Sequence, residues 1–166
     1  VYVGSGDYYV YALDAGKGYL VWRYEMGNVE SSPAVAGGVV YVGSDDDYLY
    51  ALDASTGDLV WRYKTGGGVW SSPAVAGGVV YVGSDNNYLY ALDASTGDLI
   101  WRYKAGSDVD SSPTVADGVV YVGSDDSYVY ALDGSTGDLI WRYKTGGDVD
   151  SSPAVADGAV YVGSDD

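Results

Sequence analysis

Apolar and polar residues alternate in short runs along this chain. The tracts VVYVGS (79–84), YLYALD (88–93) and DLIWRYK (98–104) follow one another, separated by polar or glycine-containing links. Within 98–104, Leu99, Trp101 and Tyr103 fall on one side of a two-residue alternation, and Asp98, Ile100, Arg102 and Lys104 on the other. That is the pattern of a strand with one packed face. A fourth run, SPAVA (72–76), ends in Gly77-Gly78, and its counterparts end in Asp117-Gly118 and Asp157-Gly158. Two-residue Gly-Gly and Asp-Gly links between apolar runs predict tight hairpins. No stretch carries a 3.6-residue apolar stripe, so the pattern predicts strands throughout.

The runs recur. VYVGS begins at 1, 40, 80, 120 and 160, SSP at 31, 71, 111 and 151, and a tryptophan stands at 22, 61, 101 and 141. The period is 40 residues; the first interval is 39 for VYVGS and Trp but 40 for SSP. The absent residue therefore lies between Trp22 and Ser31, which places a loop there, because loops tolerate single-residue gaps. The repeats run about 1–39, 40–79, 80–119 and 120–159, with a surplus strand at 160–166. Proline stands only at 33, 73, 113 and 153, at the start of the first strand of each period, where a missing amide donor costs little. Every basic residue except Lys17 falls in the fourth strand, where charge suits an outer edge. Four short antiparallel strands per period, with a longer return link, predict an all-β fold: a β-propeller whose blades are ordered from a central channel outwards.

The third and fourth strands are joined by ALDASTGDLVW (51–61), repeated as ALDASTGDLIW (91–101) and ALDGSTGDLIW (131–141), and more loosely as ALDAGKGYLVW (12–22). In this turn Asp53, Asp93 and Asp133 are suited to bond the backbone through their side chains, and Gly57, Gly97 and Gly137 to supply a positive φ. The motif, with SSPAVADGVVYVGS beside it, resembles the pyrroloquinoline-quinone-like propeller repeat, over essentially the whole chain. That family includes quinoprotein alcohol dehydrogenases and the propeller lipoprotein of the bacterial outer-membrane barrel-assembly machine, and its rings usually have eight blades. The resemblance implies that Trp22, Trp61, Trp101 and Trp141 pack between neighbouring blades, with Thr56-Gly57, Thr96-Gly97 and Thr136-Gly137 positioning the outer strand. The first copy has Lys17-Gly18 instead, which implies looser docking. Four blades are half the usual ring. Two chains, or two consecutive segments of a longer one, are expected to complete it, with the surplus strand cut arbitrarily, displaced or swapped.

Composition narrows the chemistry. The chain contains no Cys and no His, which excludes disulfides, Cys/His metal sites, thiol nucleophiles, histidine bases and a Ser-His-Asp triad. The 19 Tyr, 5 Trp and no Phe suit half-buried sheet faces. A net charge of −16 argues against nucleic acid and anionic membranes and favours cations or a basic partner. No apolar run is long enough to span a membrane. Dehydrogenases of the family hold the quinone on the axis with calcium, many beside a vicinal disulfide that this chain lacks, and no single Asp stands apart from its repeat mates as a base.

Two features vary between copies. The acidic tips Asp45-Asp46-Asp47, Asp85-Asn86-Asn87, Asp125-Asp126-Ser127 and Asp165-Asp166 carry oxygen ligands of the kind calcium takes, but three residues supply few converging oxygens, and the tips read as solvated turns before they read as calcium sites. Trp70 stands where the other repeats have Glu30, Asp110 and Asp150. It is a candidate partner contact, or drift within an amplified repeat. Asp108, Asp110, Asp148 and Asp150 predict a negative ring at one face. The function expected is a noncatalytic scaffold for protein interaction or self-assembly, extracellular, cell-surface or periplasmic. The alternative is a ligand-binding or quinone-dependent module.

Overall fold

The computed structural model describes all 166 residues and contains only strands. The first sheet has three: β1 (Tyr2–Ser5), β2 (Tyr9–Leu13) and β3 (Leu20–Glu25). The second has β4 (Ala34–Ala36), β5 (Val39–Gly43), β6 (Tyr48–Asp53) and β7 (Leu59–Lys64). The third has β8 (Ala74–Ala76), β9 (Val79–Ser84), β10 (Tyr88–Asp93) and β11 (Leu99–Lys104). The fourth has β12 (Thr114–Ala116), β13 (Val119–Ser124), β14 (Tyr128–Asp133) and β15 (Leu139–Lys144). The last has only β16 (Ala154–Ala156) and β17 (Ala159–Tyr161). All pairings are antiparallel and follow chain order. These are the blades of a β-propeller.

Turn chemistry sets the hairpins. Gly77-Gly78 has φ of 58° and 81°, and Asp117-Gly118 has 50° and 78°. Two successive positive φ values make the twist-matched hairpin turn that Gly and Asp tolerate best. The third and fourth strands join through Asp93, whose carboxylate accepts the amides of Ser95 at 2.8 Å and Thr96 at 2.9 Å, with Gly97 at φ 77°. Asp53 and Asp133 hold the same turn. Each outer strand carries a bulge: Ala91 opposes Trp101 and Leu92 opposes Leu99, leaving Ile100 extra. The bulge corrects the simple alternation. Leu99 does not share the packed face of Trp101; it is 42% exposed, whereas Trp101 is 8% exposed.

The core lies between sheets. One cluster joins Leu89, Ala91 and Trp101 of the third sheet to Val120, Val122, Tyr130 and Leu132 of the fourth. The equivalent residues join the second sheet to the third and the first to the second. The second and third strands of each internal blade are buried on both faces for this reason. The first strands lie side by side around the axis, where serines link them. Ser32 N–H donates to Ser72 Oγ at 2.8 Å and Ser72 N–H to Ser112 Oγ at 2.9 Å. Ser71 and Ser111, both buried, donate their hydroxyls to the carbonyls of Ser111 and Ser151. No helix is long and apolar enough to cross a membrane.

Candidate functional site: the inter-blade joint and the acidic face

Each internal junction is built from one set of groups. Trp22 Nε1 donates to the Ala54 carbonyl at 3.0 Å, Trp61 Nε1 to Ala94 at 3.0 Å, and Trp101 Nε1 to Gly134 at 2.9 Å. A tyrosine of the second strand donates to the same carbonyl: Tyr2 to Ala54, Tyr41 to Ala94, Tyr81 to Gly134. The two rings stack at a tilt, with centroids 5.7–5.8 Å apart. Beneath each tryptophan lies the glycine of the next blade's turn. A Cβ on Gly57, Gly97 or Gly137 would stand 2.7 Å from the indole of Trp22, Trp61 or Trp101. Glycine therefore does two things here. It reaches φ near 77°, and it leaves room for the neighbouring ring.

The tyrosine half of this joint escaped the sequence reading. So did the serine ladder and the glycine of VYVGS. A Cβ at Gly43, Gly83 or Gly123 would collide with Val69, Val109 or Val149 of the return link. A glycine inside a strand signals such a close approach. The tyrosine carried no comparable signal, because its partner is a carbonyl 53 residues further along the chain.

Trp141 has different surroundings. It is 39% exposed, against 8% for the other three, and its Nε1 and the hydroxyl of half-buried Tyr121 meet no acceptor. At the other end of the chain, Gly18 has φ 71° with nothing within 4 Å of the Cβ position. Asp14 still shapes that turn, accepting Gly16 N–H at 3.0 Å and Lys17 N–H at 2.8 Å.

The acidic tips lie on the opposite face, beside the return links. Asp47, Asn87 and Ser127 take the left-handed conformation, at φ 72°, 71° and 65°. Asp46 accepts Tyr50 Oη–H at 2.5 Å, and Asp126 accepts Tyr130 Oη–H and Gly106 N–H. Asp45 accepts from Trp70 Nε1 and from Asn28 Nδ2. Asp85 lies near Asp110, and Asp125 near Asp150, and one carboxylate oxygen of each of Asp85, Asp110 and Asp125 is buried without a hydrogen-bond partner. Burial, then the Asp85 carboxyl, pushes Asp110 up to about 7. Burial and the Asp150 carboxyl push Asp125 up to about 7 as well. Asp110 and Asp150 of the predicted negative ring thus each lie beside a tip carboxyl, Asp85 and Asp125 respectively. No three acidic side chains converge as a metal-ligand set. Trp70 occupies the position of Asp110 in this ring and is 42% exposed.

The fold has counterparts among known proteins. A family model described as outer membrane protein assembly factor BamB matches residues 6–110 and 89–166. No curated protein sequence is significantly similar. Among solved structures, BamB from Moraxella catarrhalis superposes with a TM-score of 0.87 at 23% identity, over 98% of this chain and 55% of that one. The computationally designed Ika8 protein gives 0.83 at 18% identity, over 98% and 52%. The quinohemoprotein alcohol dehydrogenase ADHIIG from Pseudomonas putida HK5 gives 0.75 at 22% identity, over 97% and 36%. The chain thus spans about half the length, or less, of these relatives. At these identities the structural likeness establishes the fold, and the sequence model establishes the kinship. The chain belongs to the family of pyrroloquinoline-quinone-like propeller repeats described as outer membrane protein assembly factor BamB.

Proposed function

We propose that this chain is a noncatalytic propeller scaffold that binds protein, beginning with a second copy of itself. One observation carries the reading: the joint that closes every internal junction is present in two open halves. Trp141 and Tyr121 offer the donors at one end, and the Asp14–Gly18 turn offers the receiving slot at the other. Donors and slot that recur three times inside the chain are compatible by construction, so a second half-ring, from another copy or from consecutive repeats of a longer chain, completes eight blades. The same contact repeated without closure would give a filament. The tryptophan, aspartate and glycine of the motif serve docking in this reading. The kinship with an outer membrane protein assembly factor supports protein partners and a place in the cell envelope or outside it.

The quinone-dependent alternative fits the donor set poorly. An anionic quinone would meet the neighbouring carboxyls of Asp85, Asp110, Asp125 and Asp150, and the serines near the axis bond one another. Tyr50, Trp70, Tyr130 and the Gly106 amide engage Asp46, Asp45 and Asp126, and no three acidic side chains converge as a calcium site would need. Titration with pyrroloquinoline quinone and calcium tests the choice. The scaffold reading expects neither a spectral change nor a thermal shift. A saturable shift would establish the enzyme-like module instead.

A further inference from the structure

The outer rim gathers the positive charge of an otherwise acidic chain. Seven of the eight basic residues lie on the outer strands β3, β7, β11 and β15, against a net charge of −16. In three of these strands the cations come as a pair held over one ring. Arg62 Cζ stands 4.7 Å and Lys64 Nζ 5.7 Å from the centre of the Tyr48 ring. Arg102 and Lys104 hold the same positions over Tyr88, and Arg142 and Lys144 over Tyr128. The register explains the convergence. Lys64 lies opposite Tyr48 and Arg62 opposite Tyr50, so both cations stand on the same face of the blade as the ring. All six cations are exposed, and a ring rather than a carboxylate is their neighbour. The first blade departs from this pattern: Arg23 lies over Tyr9, but Glu25 takes the place of Lys64.

We infer that the outer edges of β7, β11 and β15 receive an extended acidic segment of a partner polypeptide, added as a further strand with carboxylates at alternate positions. The inference rests on the protein-binding reading above and names the chemistry of the partner. Each of these strands is the last of its sheet, so the outer side of its backbone has no strand to pair with. A second extended chain matches such a row of amides and carbonyls along its length. The side chains then fix what that chain carries. Residues directly opposite each other on neighbouring strands share a face, and successive residues alternate between faces. A strand laid along Trp61–Lys64 therefore sets one residue against Lys64 and, two positions on, another against Arg62. Carboxylates at those two positions meet both cations. The residue between them falls on the other face, beside half-buried Tyr63, where an apolar side chain fits. Lysine on an edge repels a strand that brings no counter-charge, so the residues that take an acidic segment also exclude other strands. The bulge at Val60 ends the regular stretch. On β3, Glu25 would face the incoming carboxylate, which excludes that edge. The acidic tips and turns repel such a segment from a distance, so the rim selects it by contact and not by steering.

A short fluorescent peptide of alternating valine and glutamate, titrated with the full chain and followed by anisotropy, tests this. The expected result is saturable binding. Affinity should fall about ten-fold in the variant carrying Lys64→Glu, Lys104→Glu and Lys144→Glu together, as attraction turns to repulsion at each edge. That variant copies the residue the first blade already carries at Glu25, so the fold tolerates it. The same peptide N-methylated at alternate residues should not bind, because it cannot donate to the edge. No saturable binding by the parent chain, or unchanged affinity in the triple variant, would overturn the inference. Equal binding of the N-methylated peptide would overturn the added strand. Tighter binding of a valine–lysine peptide would move the docking surface to the acidic face. The sedimentation mass, measured beside these titrations, separates this inference from the reading beneath it. A dimeric mass without peptide binding would overturn the rim assignment and leave self-association standing; peptide binding by a monomer would do the reverse.

Discussion

The junction between the third and fourth sheets and the outer face of the fourth carry the same side chains in different surroundings. At the junction, Trp101 and Tyr81 share the Gly134 carbonyl, and the ring covers Gly137. On the outer face, Trp141 and Tyr121 keep the same ring geometry, with centroids 5.9 Å apart, but meet no carbonyl and no glycine. The pair is thus pre-formed within one blade, and the neighbour contributes only the carbonyl and the slot. Docking costs little side-chain ordering when the donors are already placed. A single blade cannot bury this face alone, which is the general logic of stacked repeats.

Truncating the tryptophans separates the two regions most strongly. Trp61→Ala should cost about 3–5 kcal/mol, the usual range for a large buried aromatic. Trp141→Ala should cost less than about 1 kcal/mol in the monomer, because the ring is already part-exposed. Denaturant titration at low protein concentration measures both. Equal losses would mean that the indole matters within its blade rather than between blades.

The glycines sharpen the same contrast. Gly97→Ala meets both a left-handed backbone and the Trp61 ring, and should cost about 2–4 kcal/mol. Gly18→Ala meets only the backbone term, about 1–2 kcal/mol. Melting curves of the two variants give the difference, which isolates the contribution of the close approach.

The first blade was legible because its pattern of apolar positions matches the others; so were the hairpins, since Gly-Gly and Asp-Gly admit few conformations. The return link was placed by the residue missing before Ser31. Leu99 was misread because a bulge is a backbone event, and period-two reasoning has no term for an extra residue. Trp and its turn glycine could be assigned to the blade joint from the resemblance, but Tyr41 and Ser71 could not. Their partners lie about one repeat away, and a local pattern does not say which carbonyl a hydroxyl will find.

The acidic face offers a pH-dependent contrast. Asp110 and Asp125 are held near 7, above the ordinary value of 3.8, so the folded state binds more protons than the unfolded one between those values. Their contribution to stability is full below about pH 4 and is lost as pH rises towards 7. Asp53, Asp93 and Asp133 have the opposite sign, held low by the Ser and Thr hydroxyls and amides of their turns. Their contribution is lost as pH falls below the ordinary carboxylate range. Thermal unfolding should therefore show higher stability at pH 5 than at pH 8. Asp110→Asn combined with Asp125→Asn should flatten that slope by removing the neutral-pH penalty. A slope unchanged in the double variant would place the cost elsewhere in the ring.

The smallest expected effect concerns the tyrosine hydroxyls. Tyr81→Phe should cost about 0.5–1 kcal/mol, since Trp101 still donates to the Gly134 carbonyl. Tyr121→Phe should leave the monomer unchanged, because its hydroxyl has no partner to lose. Chemical denaturation resolves the pair if the two curves are measured side by side.

The central claim is that the two ends of the chain are halves of one joint. Sedimentation equilibrium of the chain and of Trp141→Ala tests it most directly. The account predicts a species of twice the 17.4 kDa chain mass, which Trp141→Ala converts to the single chain. A 17.4 kDa particle at every concentration, or a dimer indifferent to Trp141→Ala, would contradict it.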